Sequence, residues 1–197
     1  MVSKGAATRE RILEHALRMG SQSGLEGLTV AGLASELGLS KSGLFAHFGS
    51  KDALQVQVLE AATARFRDTV VRPALKAPRG KPRVVALFER WLSWGNDPAM
   101  PGGCIFITAA VELDDRPGPQ RDFLVASQRE WLATLAKAAR LAVEVGHFRA
   151  DLDAEQLAFE LYALILGYNH QKRLLRDAKA DLRIRKAFER LVDAASA

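Results

Sequence analysis

The stretch Thr29–Lys51, TVAGLASELGLSKSGLFAHFGSK, decides the fold of this 197-residue chain. Its pattern predicts two short helices, a tight turn and the start of a third helix. Thr29 can cap the first, because its hydroxyl can accept one of the orphan N–H groups of an opening helical turn. Val30, Leu33, Ala34 and Leu37 then fall at i, i+3, i+4 and i+7, a single buried face. Gly38 stands where a left-handed cap is wanted, a conformation that glycine enters without a Cβ penalty. Ser40 caps the second helix, whose buried side is read as Leu44, Phe45 and Phe48. Gly49 ends that helix and Ser50 caps the next.

Two helices joined by so short a glycine turn cannot lie antiparallel and must cross steeply. That is the helix-turn-helix, in which the second helix can enter a major groove while the first braces it. Ala34 is small where the crossing is closest. The outward side of the second helix carries Lys41, Ser42, Gly43, Ala46 and His47, small, polar or cationic groups that can approach a base edge or a phosphate. Spacing alone fits an ordinary helical hairpin equally well.

The wording is tighter than the spacing. Leu39–Lys51, LSKSGLFAHFGSK, resembles the signature of the TetR family of transcriptional regulators. The resemblance covers about residues 8 to 60 closely and the rest of the chain in architecture. It implies roles position by position. Thr29 and Ser42 look like phosphate or groove-edge contacts, and Lys41, Ser42 and Gly43 occupy the turn that reads bases. His47 and Lys51 look like clamps on the DNA backbone. Where most members carry a tyrosine this chain has Phe45, which lacks the hydroxyl often directed at a phosphate, so Phe45 is assigned to packing.

Composition agrees with a folded, water-exposed protein: 48% of residues are apolar and 26% charged. Apolar runs are far shorter than a membrane span, no hydrophobic stretch follows Lys4, and a cytoplasmic protein without membrane attachment is the simplest reading. Cys104 is the single cysteine, so no internal disulfide or multi-cysteine metal site is available. It is read as a small buried hydrophobe, with a thiol sensor at a helix N-terminus as the alternative. The net charge of +5 favours an anionic partner, yet residues 1–52 carry only +1. DNA contact therefore has to rest on a few placed groups and helix N-termini rather than on a broad positive field.

All seven prolines lie between Pro73 and Pro119, and strand-like alternation is absent, so an all-α chain of about nine helices is expected. The first helix is expected from after Thr8 to about Ser21, with Ile12, Leu13, Ala16 and Leu17 inward. A fourth helix from Lys51 to before Pro73 carries Leu54, Val58, Leu59, Ala62, Phe66 and Val70, and joins a three-helix N-terminal domain (residues 1–66) to a helical bundle (residues 67–197). Helices follow over 84–92, over CIFITAAVEL from Cys104, and over about Pro119–Val145, the longest. Asp153 and Gln156 form a capping-box pattern for the eighth, and Ile184, Ala187, Phe188, Leu191 and Val192 mark the ninth.

The C-terminal part reads as a sensor. Trp91, Trp94, Phe106, Phe123, Trp131, Tyr162 and Tyr168 can line a cavity for an apolar or aromatic small molecule, although each fits plain core packing as well. The last two long helices match the family's dimer-forming pair, and a two-fold crossing would account for Gly167 in mid-helix. Together these features imply a homodimeric repressor of a palindromic operator, released by a small effector, with no cofactor, metal or catalytic role. The rivals are a constitutive DNA-binding regulator, a ligand-dependent activator, and a helical-bundle enzyme. The enzyme finds no metal-ligand cluster, nucleophile pairing or phosphate loop in the sequence.

Overall fold

The computed structural model describes residues 4–197, so the first three residues of the expected 1–66 domain lie outside the described residues. Nine helices form among the described residues. They are α1 (Lys4–Gly27), α2 (Val30–Leu37), α3 (Lys41–Phe48), α4 (Lys51–Phe66), α5 (Lys81–Trp94), α6 (Ile105–Leu113), α7 (Pro119–Glu144), α8 (Ala154–Asn169) and α9 (Ala180–Ala195). A π turn at Arg67–Val71 and a last α turn at Arg72–Ala74 prolong α4, and a π turn at His170–Leu174 prolongs α8. The only extended pairing among the described residues is one antiparallel bridge between Phe148 and Ser196. The expected all-α fold is the observed one.

The chain packs as two units. One is formed by the chain up to Arg65 together with Asn96–Ala126, the other by Phe66–Gly95 together with Ser127–Ala197. In the first, α6 lies against α1. Ile105 Cδ1 would be 3.1 Å from a Cβ placed on Gly20, and a Cβ on Gly102 would stand 1.6 Å from the Ser21 carbonyl oxygen, so Gly102 admits no side chain. The Gly102 N–H donates to Ser21 Oγ at 3.1 Å. Ile12, Leu28, Leu33, Leu44 and Leu54 fill the core between α1, α2, α3 and α4. In the second unit, α8 packs along α9, and Phe88 stacks on Phe188 with ring centroids 3.7 Å apart.

The expected stripe of α4 is buried throughout, from Leu54 to Val70. Two local details differ from expectation. α1 runs six residues beyond Ser21 and is broken at Gly24, whose φ is +76°. The cause lies on α6: Glu112 Oε2 accepts the Leu25 N–H at 2.7 Å and the Glu26 N–H at 3.4 Å, supplying acceptors the interrupted helix lacks. At α8 the Asp153 side chain accepts the Gln156 N–H at 2.9 Å, but the Gln156 side chain turns to Glu160, so only half of the capping box forms.

Candidate nucleic-acid interface

The helix-turn-helix is built as its residue types dictate. Thr29 Oγ1 accepts the Gly32 N–H at 3.0 Å and starts α2. Gly38, at φ +64°, closes α2, and its N–H and that of Leu39 return to carbonyls of the last turn. Ser40 Oγ then accepts the Gly43 N–H at 3.0 Å and starts α3. A Cβ on Gly43 would press on that same Ser40 oxygen at 3.0 Å, which favours glycine here. Leu44 and Phe48 anchor α3 inward, and the Arg9 guanidinium lies 5.8 Å above the Phe48 ring.

This anchoring leaves Lys41, Ser42, Gly43 and Ala46 exposed on α3, with His47 half-buried and its ring 6.2 Å from that of Phe48. Ser42 Oγ lies 3.2 Å from Ser40 Oγ. Thr29 is exposed at the start of α2, and because its oxygen accepts from the backbone, its hydroxyl proton stays available to a phosphate. Lys51 differs from the rest. Its ammonium donates to the Glu26 carbonyl at 3.2 Å and pairs with the Glu26 carboxylate at 3.4 Å. It braces the α1–α2 link, and only its exposed flank faces outward.

Phe45 corrects the sequence reading. The pattern assigns it to packing with Leu44 and Phe48, yet it is 47% exposed. Those two residues fill the inner face of this two-turn helix, and Phe45 falls on its flank.

No spacing or motif in the sequence points to the polar network that lies behind the helix-turn-helix. Gln55, only 3% exposed, donates from Nε2 to the Leu25 carbonyl at 2.6 Å. Gln120 Nε2 in turn donates to Gln55 Oε1 and to Asp52 Oδ1, each at 2.9 Å. With Glu112 on the Leu25 and Glu26 N–H groups, and Arg116 3.3 Å from the Glu26 carboxylate, residues 112–120 grip both the α1–α2 link and the start of α4.

The seven candidate ligand residues divide between the two units. Phe106 (buried) and Phe123 (half-buried) belong to the first. In the second, Trp91 meets Trp131 edge-on at 5.1 Å and Tyr162 at 5.6 Å, while Phe66 meets Trp94 at 5.2 Å and Trp131 at 4.8 Å. Trp131 Nε1 is buried with no hydrogen-bond partner among the described residues, and the Tyr162 hydroxyl donates to Gln128 at 3.0 Å. Beside Tyr162 a cleft of about 370 Å³ opens between α7 and α8, lined by Leu132, Ala136, Ala158 and Phe159 and ended by Arg140 and Glu155. Tyr168 stands apart, with its hydroxyl donating to Asp181 Oδ1 at 2.8 Å. Cys104 is buried at the N-cap of α6.

Asp181 also accepts from the Lys172 ammonium. Lys172 first, then the Tyr168 hydroxyl, hold the Asp181 carboxyl below its ordinary value of 3.8, while the bond to Asp181 raises Lys172 above 10.5. The carboxylate's share of stability is therefore present above the unfolded value of 3.8 and lost as pH falls through the lower folded value. The lysine's share is present below 10.5 and lost as pH rises through its higher folded value. Both groups are solvent-screened, so the effect is small. Asp181→Asn is expected to lose less melting temperature than the native chain between about pH 5 and pH 2. Parallel acid limbs in thermal melts would show that the cluster contributes nothing.

The geometry defines a helix-turn-helix protein with a second helical unit. Residues 12–58 match the family model described as bacterial regulatory proteins of the tetR family. Residues 80–188 match the model of the tetracyclin repressor-like C-terminal domain. The chain belongs to the TetR family of regulators.

Among its relatives is the HTH-type transcriptional repressor AcnR of Corynebacterium efficiens, 37% identical over 67 residues. That match spans 34% of this chain and about a third (36%) of the repressor's length. A TetR transcriptional regulator from Chloroflexus aurantiacus superposes with a TM-score of 0.85 at 26% identity, over 96% of this chain and 94% of that one. A regulator from Saccharomonospora viridis, solved in complex with choline, superposes at 0.79 with 25% identity, over 97% and 98% of the two chains. No described helix is long and apolar enough to cross a membrane.

Proposed function

We propose that this chain is a sequence-specific DNA-binding transcription regulator, a homodimeric cytoplasmic repressor released from a palindromic operator by a small apolar or aromatic effector. The observation that carries the reading is the outward face of α3: Lys41, Ser42 and Gly43 exposed at its capped N-terminal turn, while Leu44 and Phe48 hold the helix from behind. Lys41 and Ser42 would reach base edges, and Thr29 and His47 would take phosphates. Lys51 would contribute least, being engaged by Glu26.

Residues 1–66 would then bind DNA and residues 67–197 would sense and dimerise. Dimerisation is supported by a run of exposed apolar side chains on α8, its π turn and α9. Phe159 is 65% exposed, Leu166 40%, Leu174 70% and Leu182 54%, with open space over Gly167. Effector binding is supported by the Tyr162 cleft and by the indole N–H of Trp131, which an acceptor atom on a ligand would satisfy. The choline complex of the Saccharomonospora viridis relative is in keeping with a small-molecule site. Release requires that the effector prefer the arrangement that does not bind DNA. Glu112 and Gln120, through their grip on residues 25–26 and 52–55, would pass the change to the reading helices.

Selection of bound duplexes from a random pool tests the reading, with enrichment of a palindrome as the expected outcome. On the recovered duplex, Lys41→Ala is expected to weaken binding about tenfold or more and relax the preference at one position per half-site, as loss of a base contact does. Unchanged affinity and base preference in a binding titration would remove Lys41 from the reading set. Effectors are sought by thermal shift against apolar metabolites, since a true ligand raises the melting temperature with concentration.

A further inference from the structure

Phe45 is the one large apolar side chain left out on α3, 47% exposed. It sits at i+4 from Lys41 and i+3 from Ser42, so it is their neighbour on the helix surface. Gly43 and Ala46 beside it carry little or no side chain, which makes the Phe45 ring the most prominent apolar group on the face. It makes no ring contact among the described residues, whereas Phe48 one turn below is buried beneath Arg9.

We propose that Phe45 is a specificity-determining residue that reads thymine, its ring meeting the C5-methyl group in the major groove. This rests on the DNA-binding reading above. A phenyl ring has no donor for a phosphate, and pressing it on phosphate oxygens would strip their water without replacement. Thymine alone among the four bases places a methyl group in the major groove, and an apolar side chain is its natural contact. The ring therefore belongs against a base, with Lys41 and Ser42 supplying the polar contacts on either side.

The test replaces each thymine of the selected duplex by uracil, which removes the methyl group and keeps the pairing edge. Native protein, Phe45→Ala and Phe45→Tyr are titrated against each duplex and against salt. At one thymine per half-site, uracil is expected to weaken native binding about fourfold, the worth of one buried methyl group. The penalty persists in Phe45→Tyr, which keeps the ring, and vanishes in Phe45→Ala. The salt slope of Phe45→Ala matches the native one, because no phosphate contact is lost. Unchanged melting of Phe45→Ala confirms that its fold is intact. The proposal is overturned if no thymine shows a penalty that depends on Phe45, or if Phe45→Ala lowers the salt slope by a phosphate's worth. If no duplex is enriched at all, the DNA-binding reading falls first and this contact falls with it.

Discussion

Leu166→Glu is expected to yield a folded monomer that binds the operator about 10²- to 10⁴-fold more weakly than the proposed homodimer. Leu166 is 40% exposed in the last turn of α8, one position before Gly167, where an added Cβ would meet no atom outside its own helix within 4 Å among the described residues. Across a two-fold axis each copy of this patch would meet its own mate, so the substitution places two carboxylates in one apolar contact. In the proposed homodimer, losing the partner would forfeit the second half-site, whose binding would otherwise be intramolecular at an effective concentration in the millimolar range. Fold stability should change little, since the residue is not in the monomer's core. Sedimentation velocity and operator titration check both halves. A variant that still sediments as a dimer and binds normally would place the assembly face elsewhere.

Leu44→Ala is the second large effect, acting on stability. Leu44 is fully buried where α3 meets the small core of the first unit, together with Leu33 and Phe48. Truncating a buried leucine costs about 2–5 kcal/mol, a transfer loss plus the cavity left behind. α3 has two turns and two inward anchors, so the shorter side chain leaves Phe48 to hold it alone. Unfolding in urea should show a stability lower by about that amount, with DNA binding lost in proportion to the fraction unfolded. A loss below about 0.5 kcal/mol would mean that α3 is held by contacts other than its inward face.

Much of the reading unit was legible because its signals are local. Thr29, Gly38, Ser40 and Ser50 act within three residues of themselves, and each does in the structure what its chemistry predicts. The stripe of α4 follows from period alone. Phe45 was misread because a two-turn helix has room for only two inward anchors, and apolar character does not tell an anchor from a flank. The break at Gly24 and the glutamine network escaped notice for another reason. Glu112 is 87 residues from Leu25, and Gln120 is 65 from Gln55, so no spacing rule connects them. Nor does any apolar pattern announce the π turns after Phe66 and Asn169. Among the candidate ligand residues, aromatic identity did not reveal unit membership: Phe106 and Phe123 fall with the reading helices, while Trp91, Trp94, Trp131 and Tyr162 cluster in the second unit.

In the proposed dimer, α3 is held outward so that two copies enter successive grooves of one duplex. A hydroxyl-radical footprint on the selected operator tests this most directly. The predicted result is two protected patches on one face of the DNA, with centres about 34–36 Å or a whole multiple of that apart, both lost together in Leu166→Glu at concentrations that saturate the native dimer. A single patch, two patches out of helical phase, or uniform protection would contradict it.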